Sequence, residues 1–142
     1  MQRQPVLTAD EVQAYFDEVF PQQRGTLVAM TIGSMHGKAR MKISEDHLRP
    51  GGTVCGPAMF TVADCAFYMA LMGMIGRQAL TVTTNMSINF LRKPVADADL
   101  ICEARILKLG KLLATGDATV WSEGQDAPVA HATVTYAIPP SR

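Results

Sequence analysis

The sequence has 142 residues, 48% of them hydrophobic and 18% charged, and its 13 Lys and Arg residues balance 13 Asp and Glu residues. This balance excludes the strong positive field that non-specific nucleic-acid binding requires. The length suits a single domain over residues 1–142, with an N-terminal helical segment over residues 1–25. Since the apolar fraction exceeds what a small monomer needs, we expect a homo-oligomer, either a homodimer or a homotetramer.

The start of the chain and its cysteines bear on location. The first residues, MQRQPVLTADEV, lack the apolar core of a signal peptide, and the longest apolar stretch, Ala66–Ile75, is too short to span a bilayer. Cys55, Cys65 and Cys102 cannot all pair within one chain and show no CxxC spacing, so we expect neither a disulfide framework nor a zinc site. These features predict a cytoplasmic protein that binds no membrane.

A helix and a hairpin are the first predicted elements. Residues 8–20 begin with the capping-box spacing of Thr8 and Glu11 and continue with apolar residues at helical intervals. Residues 27–46 are compatible with two strands around Gly37, because basic and apolar residues alternate after that glycine. This alternation predicts a hairpin with one solvent-facing side.

A loop rich in Gly and Pro then leads into a strongly apolar helix. The loop covers His47–Pro57, and the fixed φ of Pro57 suits the first turn of a helix. Ala58–Gly76 is apolar on nearly every side, which is typical of a helix surrounded by protein. The next segment, Leu80–Phe90, alternates with a period of two and is predicted to be a strand. Its polar face carries no charge and consists of Thr81, Thr83, Asn85, Ser87 and Asn89.

Three further strands complete the predicted sheet. They are Leu100–Leu109, Leu112–Trp121 and Val129–Ile138, and the first two are joined at Gly110-Lys111. Small residues alternate along the last two strands, where they would let a helix lie close to the sheet: Ala114, Gly116, Ala118, Ala130 and Ala132. One buried helix against a mostly antiparallel sheet predicts an α+β fold with two layers.

Asp64 is the residue of the apolar helix that most needs an explanation. An unpaired buried carboxylate is costly, and a position about two turns into the helix is beyond capping and dipole stabilisation. Asp64 is either a structural acid, satisfied by backbone amides or by an arginine such as Arg49 or Arg92, or a catalytic group. Thr61 and Tyr68 share its helix face. Free N–H groups at the start of the same helix favour catalysis, because an oxyanion-binding group and a carboxylate together suit acyl transfer.

Four segments carry a more specific signal: Gly51–Pro57, Ala63-Asp64 eight residues beyond Gly56, Ile88–Pro94 and Lys108–Lys111. Together they resemble the hotdog thioesterases of the phenylacetyl-CoA and 4-hydroxybenzoyl-CoA type, over about residues 27–138. The resemblance implies the hotdog fold, an antiparallel sheet wrapped around one long central helix. It also implies that the Gly56 N–H polarises a thioester carbonyl while Asp64 attacks it or activates water. The implied activity is hydrolysis of an acyl-CoA, with an aryl or medium-chain acyl group, to the free acid and CoA, and it implies no metal or redox cofactor.

Three positions depart from the family pattern. Arg49 stands where the family often has Asn, Cys55 where it has His, and Pro57 where it has the second Gly of a pair. Pro57 removes an N–H that is not the presumed oxyanion donor, and its geometry fits a helix start. Arg49 and Cys55 leave open a second reading, a non-hydrolytic protein that binds acyl-CoA or another acyl thioester. A hotdog dehydratase or hydratase ranks last, because it is expected to carry a catalytic His that this chain lacks near the core helix.

Cys55 and the substrate contacts complete the predicted site. A thiol just before a helix N-terminus is a possible nucleophile. No His stands in an obvious sequence relation to Cys55, although His36, His47 and His131 could approach it in space, so we expect another role. In the family the strand matching Leu80–Phe90 helps build the dimer interface and the pantetheine passage. A basic pair at its end would meet the CoA phosphates, although an ordinary solvated turn explains that pair equally well. The predicted substrate-binding residues are Arg49, Gly52, Cys55, Thr61, Tyr68, Asn85, Ser87, Asn89, Arg92 and Lys93.

Overall fold

A computed structural model describes residues 3–140 and places one long helix against a six-stranded sheet. The helices are α1 (Ala9–Val19) and α2 (Gly56–Ile75). The strands are β1 (Leu27–Gly33), β2 (His36–Met41), β3 (Val82–Phe90), β4 (Leu100–Leu109), β5 (Leu113–Ser122) and β6 (Ala130–Ala137). The strand order is β1-β2-β4-β5-β6-β3, and every neighbouring pair is antiparallel. The predicted α+β architecture is confirmed.

Small residues on the inner face of the sheet allow α2 to pack closely. A Cβ at Gly116 would collide with the carbonyl oxygen of Arg105 and lie 2.7 Å from the Phe67 ring of α2. Ala114 and Ala118, which flank this glycine on the same face, are fully buried. The helix is therefore held close to β5 by residues whose side chains are absent or minimal, as the sequence predicted.

The apolar helix α2 is longer than its most apolar stretch suggested. With 20 residues, α2 is long and apolar enough to cross a membrane if only length and composition are considered. The sequence had indicated a shorter apolar stretch, Ala66–Ile75. In the fold, 72% of its most apolar window is buried inside the protein. Packing against the sheet therefore accounts for its composition.

Helix α1 packs beside α2 and begins as the sequence predicted. The Thr8 hydroxyl accepts from the Glu11 N–H, and the Glu11 carboxylate accepts from the Thr8 N–H, which completes the capping box. Val12 and Phe16 are almost fully buried. This helix brings one aromatic face close to the middle of α2.

The turn of the first hairpin differs from the prediction. It lies at Ser34-Met35, where Met35 has a φ of 57°, and Gly37 belongs to β2. A Cβ at Gly37 would lie 3.0 Å from the Cβ of Ala70 on α2. Gly37 is therefore needed for helix packing and not for chain reversal.

The polar face predicted for Leu80–Phe90 is divided between two sides of the sheet. The register of β3 against β6 shifts between Thr83 and Asn85, because Thr84 is inserted as a bulge. Thr81 and Thr83 therefore face the core, whereas the polar residues after the bulge face outward. Leu80 and Val82, which the alternation placed on the apolar face of the strand, are 71% and 54% exposed. Strand β3 is also an edge strand, so one of its sides has no strand partner within the described residues.

Candidate active site around Asp64

Asp64 lies half-buried on α2, where three elements converge. Its Oδ1 accepts a hydrogen bond from the Thr83 hydroxyl at 2.6 Å and lies 2.8 Å from the Tyr136 hydroxyl. The Tyr136 hydroxyl is also 3.0 Å from the backbone carbonyl oxygen of Asp64, so its single proton is shared between two acceptors. The bulge in β3 makes this arrangement possible, because it turns Thr83 inward opposite Tyr136. One oxygen of the carboxylate is thereby fixed, and no described group donates to Oδ2.

Hydroxyl groups, and not cations, hold the Asp64 carboxylate. Among residues 3–140 no Lys, Arg or His nitrogen lies within 4 Å of it, so the arginine partner considered from the sequence is absent in this part of the chain. Burial and the negative charge of Asp64 raise the pKa of Tyr136, which keeps the phenol protonated and able to donate. The carboxylate is therefore oriented without being neutralised by a counter-ion.

Asp64 borders a cavity of about 340 Å³ between α1, α2 and the start of β3. The side of the cavity formed by α1 is apolar, and the Phe16 and Phe20 rings pack there with centroids 5.6 Å apart. Tyr68 adds an aromatic wall on α2, and burial raises its pKa to about 12. The lining residues are Phe16, Val19, Phe20, Asp64, Cys65, Tyr68, Ala79, Thr81, Val82, Thr83 and Tyr136. An apolar group fits this space with its reactive end at the carboxylate.

The start of α2 borders a second cavity, of about 380 Å³. Cys55 is the N-cap of the helix and makes no side-chain capping bond, so the first N–H groups of α2 remain available to a bound group. A Cβ at Gly56 would lie 3.3 Å from the Phe90 ring, so glycine permits close approach to the Gly56 backbone. This cavity is lined by Arg49, Thr53, Val54, Gly56, Met59, Phe90, Leu91, Arg92, Lys93 and Pro94.

Gly56 and Asp64 do not share one cavity in a single chain. Eight residues of α-helix separate them by about 12 Å along the axis and by roughly 80° around it. A single thioester carbonyl needs its oxyanion donor and its attacking group each within about 3 Å. The two groups given complementary roles from the sequence are therefore too far apart to act on the same carbonyl within one chain.

The other predicted substrate contacts fall into three groups, of which two border a cavity. Tyr68 borders the Asp64 cavity, and Arg49, Arg92 and Lys93 border the Gly56 cavity. The Arg92 Nε also donates to the Pro128 carbonyl at 2.8 Å, which fixes part of that side chain. The remaining predicted contacts line neither cavity, and they are Gly52, Cys55, Thr61, Asn85, Ser87 and Asn89.

The residues that line neither cavity have distinct environments. The Thr61 hydroxyl donates to the Pro57 carbonyl at 2.9 Å, so it serves its own helix. Gly52 is exposed in the turn before α2 with a φ of 81°. The three β3 residues, Asn85, Ser87 and Asn89, are exposed on the outer side of the sheet. Their predicted substrate role depends on a neighbouring copy of the chain.

Cys55 has no histidine positioned as a base. The Nδ1 of His47 accepts from the Ser44 N–H at 2.9 Å. His36 and His131 instead face acidic residues across the sheet, Glu103 at 3.3 Å and Asp117 at 3.0 Å respectively. Within residues 3–140 no group of three His, Cys, Asp or Glu side chains is arranged to hold a metal ion.

Sequence reasoning missed the two hydroxyls that hold Asp64. Thr83 was placed on the polar strand face but not paired with the acid, and Tyr136 was not singled out. Their contacts join residues 19 and 72 positions from Asp64 in sequence. Only the position of Tyr136 among the small inward-facing residues of the last strand hinted at an inward-facing phenol.

Comparisons with known proteins identify the family and the fold. A model of the thioesterase superfamily matches residues 51–136, more than half of the chain. A putative thioesterase from Silicibacter sp. TM1040 is 48% identical, with a TM-score of 0.90 over 96% of this chain and 94% of that protein. No curated protein matches the chain.

Two more distant structures share the fold. A variant of the phenylacetic acid degradation protein PaaI from Thermus thermophilus is 24% identical, with a TM-score of 0.71 over 84% of this chain and 99% of that protein. A Streptococcus mutans protein solved with acetyl-CoA bound is 22% identical, with a TM-score of 0.70 over 82% of this chain and 90% of its own. The superfamily model covers the loop before α2, α2 itself, which carries Asp64, and the strands that carry Thr83 and Tyr136. The chain therefore belongs to the thioesterase superfamily and has its hotdog fold.

Proposed function

We propose that the protein hydrolyses an acyl-CoA, with an aryl or medium-chain acyl group, to the free acid and CoA. The observation that carries this proposal is the Asp64 carboxylate at the wall of an apolar cavity. Two hydroxyls hold its Oδ1, and its Oδ2 is left for chemistry. Membership in the thioesterase superfamily supports thioester cleavage as the reaction class.

The proposed reaction uses Asp64 as general base or as nucleophile. As a base, Oδ2 takes a proton from water while the water oxygen adds to the thioester carbonyl carbon. The oxyanion that forms accepts a hydrogen bond from the Gly56 N–H. The carbon–sulfur bond then breaks, and the CoA thiolate leaves and takes up the proton. As a nucleophile, Asp64 itself adds to the carbonyl carbon and expels the thiolate, and water cleaves the resulting anhydride.

A homo-oligomer, dimer or tetramer, supplies the missing half of this site. Because Gly56 and Asp64 of one chain lie about 12 Å apart along α2, we assign the oxyanion donor and the carboxylate of each site to different copies. The free side of edge strand β3 supports an interface there. In that arrangement Asn85, Ser87 and Asn89 would contact a neighbouring copy or the pantetheine arm.

Basic residues near Gly56 suit the nucleotide end of CoA. Arg49, Arg92 and Lys93 border the same cavity as the Gly56 backbone, and all three are exposed. Their positive charges would meet the phosphates through charge-assisted hydrogen bonds. The thioester would then reach the start of α2 from this side.

We also propose a cytoplasmic location. Cys55, Cys65 and Cys102 are all free thiols, which suits a reducing compartment. Burial raises the pKa of Cys65 to about 12, so this cysteine beside Asp64 stays a neutral packing group.

A panel of acyl-CoA substrates tests the proposed activity. Release of CoA thiol is followed for acetyl, medium-chain, long-chain and aryl thioesters, with Asp64→Asn as the control. Turnover that requires Asp64 supports a hydrolase. Tight binding of an acyl-CoA without turnover by the wild-type protein would instead identify a non-hydrolytic acyl-CoA-binding protein.

A further inference from the structure

Thr81 borders the Asp64 cavity and carries a buried hydroxyl without a protein partner. The residue is 4% exposed, and within residues 3–140 its Oγ1 makes no hydrogen bond. Most buried hydroxyls in proteins are bonded, so this oxygen needs an explanation. It is the only buried side-chain oxygen or nitrogen of the described chain in this condition.

The surroundings of Thr81 leave the cavity as the source of a partner. Its N–H already donates to the Gln78 carbonyl at 3.0 Å. Thr83, two residues further along the inner face, gives its own hydroxyl to Asp64. The side of the cavity formed by α1 and its C-cap offers only the apolar side chains of Phe16, Val19 and Phe20.

We propose that Thr81 recognises a polar oxygen on the acyl group, so that the preferred substrate carries a hydroxyl or oxo group in addition to its thioester. This inference rests on the proposed function, because it requires the cavity to hold the acyl group. A threonine hydroxyl both donates and accepts, so either kind of oxygen satisfies it. Oγ1 is buried in the wall of the cavity, so rotation about the Cα–Cβ bond of Thr81 would be needed to turn it toward a bound group.

The size and charge of the cavity narrow the substrate class. The cavity, at about 340 Å³, lies near the lower end of the roughly 300–1,000 Å³ range of small-molecule pockets. The substrate oxygen therefore sits on a short or medium acyl group. Asp64 on the same wall disfavours an acyl group that ends in a carboxylate, because two negative charges in an apolar cavity repel each other. The recognised oxygen is a neutral one.

Matched substrate pairs test the inference. Hexanoyl-CoA and octanoyl-CoA are compared with their hydroxy and oxo derivatives at successive carbons, and kcat/KM is measured for each. For at least one position, we expect the wild-type protein to prefer the oxygenated member by about three- to tenfold, the value of one neutral hydrogen bond. Thr81→Val should abolish this preference, and Thr81→Ser, which keeps the hydroxyl, should retain it. Thr119→Val, the same change on the outer face of β5, should leave the preference unchanged.

Stability and binding measurements separate the possible failures. Thr81→Val removes an unpaired buried hydroxyl with little change of shape, so its melting temperature should equal or exceed that of the wild type. The inference is overturned if the wild type shows no preference for an oxygenated substrate at any position. It is also overturned if Thr81→Val keeps the preference, which is the result expected if the Thr81 hydroxyl bonds only to water. If no thioester is hydrolysed, calorimetry with non-hydrolysable thioether analogues of the same pairs decides. If the wild type binds the oxygenated analogue more tightly and Thr81→Val does not, recognition by Thr81 is supported and the hydrolase proposal fails. If the wild type binds both members of every pair with equal affinity, both proposals are rejected.

Discussion

At the scale of single residues, the two oxygens of Asp64 have different environments. Thr83 and Tyr136 converge on Oδ1, which fixes the plane of the carboxylate while Oδ2 remains open to the cavity. The sequence could identify Asp64, because an acid inside an apolar helix is costly without a purpose. It could not identify the partners, because the contact with Thr83 depends on a one-residue bulge that no local pattern marks.

We expect Asp64→Asn to abolish turnover without unfolding the protein. The asparagine Oδ1 still accepts from Thr83 and Tyr136, and no cation is left unpaired, so the free energy of unfolding should change by less than about 1 kcal/mol. The loss of the charged base should lower kcat by about two orders of magnitude or more. Thiol release and chemical denaturation measure the two effects. A variant that melts much earlier yet hydrolyses normally per folded molecule would show that Asp64 is structural.

Removing either hydroxyl partner of Asp64 should slow turnover without weakening binding. Thr83→Val and Tyr136→Phe each leave one donor to Oδ1, so the carboxylate is less well oriented, and kcat should fall about tenfold with KM nearly unchanged. Thr83→Ser should restore most of the rate because it keeps the hydroxyl. Thr119→Val, on the outer face of β5, is the control. An equal loss of kcat in Thr119→Val, or a rise in KM without a fall in kcat in the Thr83 and Tyr136 variants, would argue against this positioning role.

Cys55→Ser should keep measurable thioesterase activity. Cys55 lies at the start of α2 and lines neither cavity. Its contact with His47 is a backbone hydrogen bond at 2.8 Å, and within residues 3–140 no histidine nitrogen bonds its thiol. Steady-state hydrolysis and mass spectrometry of the wild type during turnover test this expectation. Complete loss of activity in a folded variant, together with an acyl adduct trapped on Cys55, would make it the nucleophile.

At the scale of elements, close packing of α2 on the sheet depends on two glycines, Gly37 in β2 and Gly116 in β5. At Gly116 a methyl group would meet the rigid Arg105 carbonyl and the Phe67 ring, and neither can move without disturbing β4 or the core. Gly116→Ala should therefore lower the free energy of unfolding by about 2 kcal/mol or more, measured by chemical denaturation. Gly33→Ala is the control, because its methyl group meets nothing within 4 Å. Equal stability of the two variants would contradict this account of the packing.

Periodicity predicted the elements better than it predicted their irregularities. Alternation placed β4, β5 and β6 within about one residue of their bounds, and the apolar run located α2. The hairpin turn was wrong, because Gly37 was read as a turn residue although α2 requires it in β2. The face of β3 was wrong at its start, since the bulge at Thr84 exchanges the two sides. Both errors arise from contacts between elements distant in sequence.

At the scale of the whole molecule, the protein should assemble from at least two copies. The free edge of β3 and the exposed apolar side chains of Leu80 and Val82 beside it both favour a covered surface. Light scattering at micromolar concentration should therefore give at least twice the mass of one chain. A monomer at that concentration would reject the interface assigned to Asn85, Ser87 and Asn89.

The most direct test of the account combines two inactive chains. Gly56→Pro removes the proposed oxyanion donor at the first helix position, where the backbone suits proline but the Phe90 ring must shift by a few tenths of an ångström, and Asp64→Asn removes the carboxylate. Each variant alone should be nearly inactive. A hybrid of the two is co-expressed with different affinity tags and purified through both. It should recover about half of the wild-type rate per mixed pair of chains, because one of the two sites in such a pair regains an intact Gly56 and an intact Asp64. A hybrid no more active than a doubly tagged Asp64→Asn oligomer would contradict a thioesterase site built from two copies of this chain.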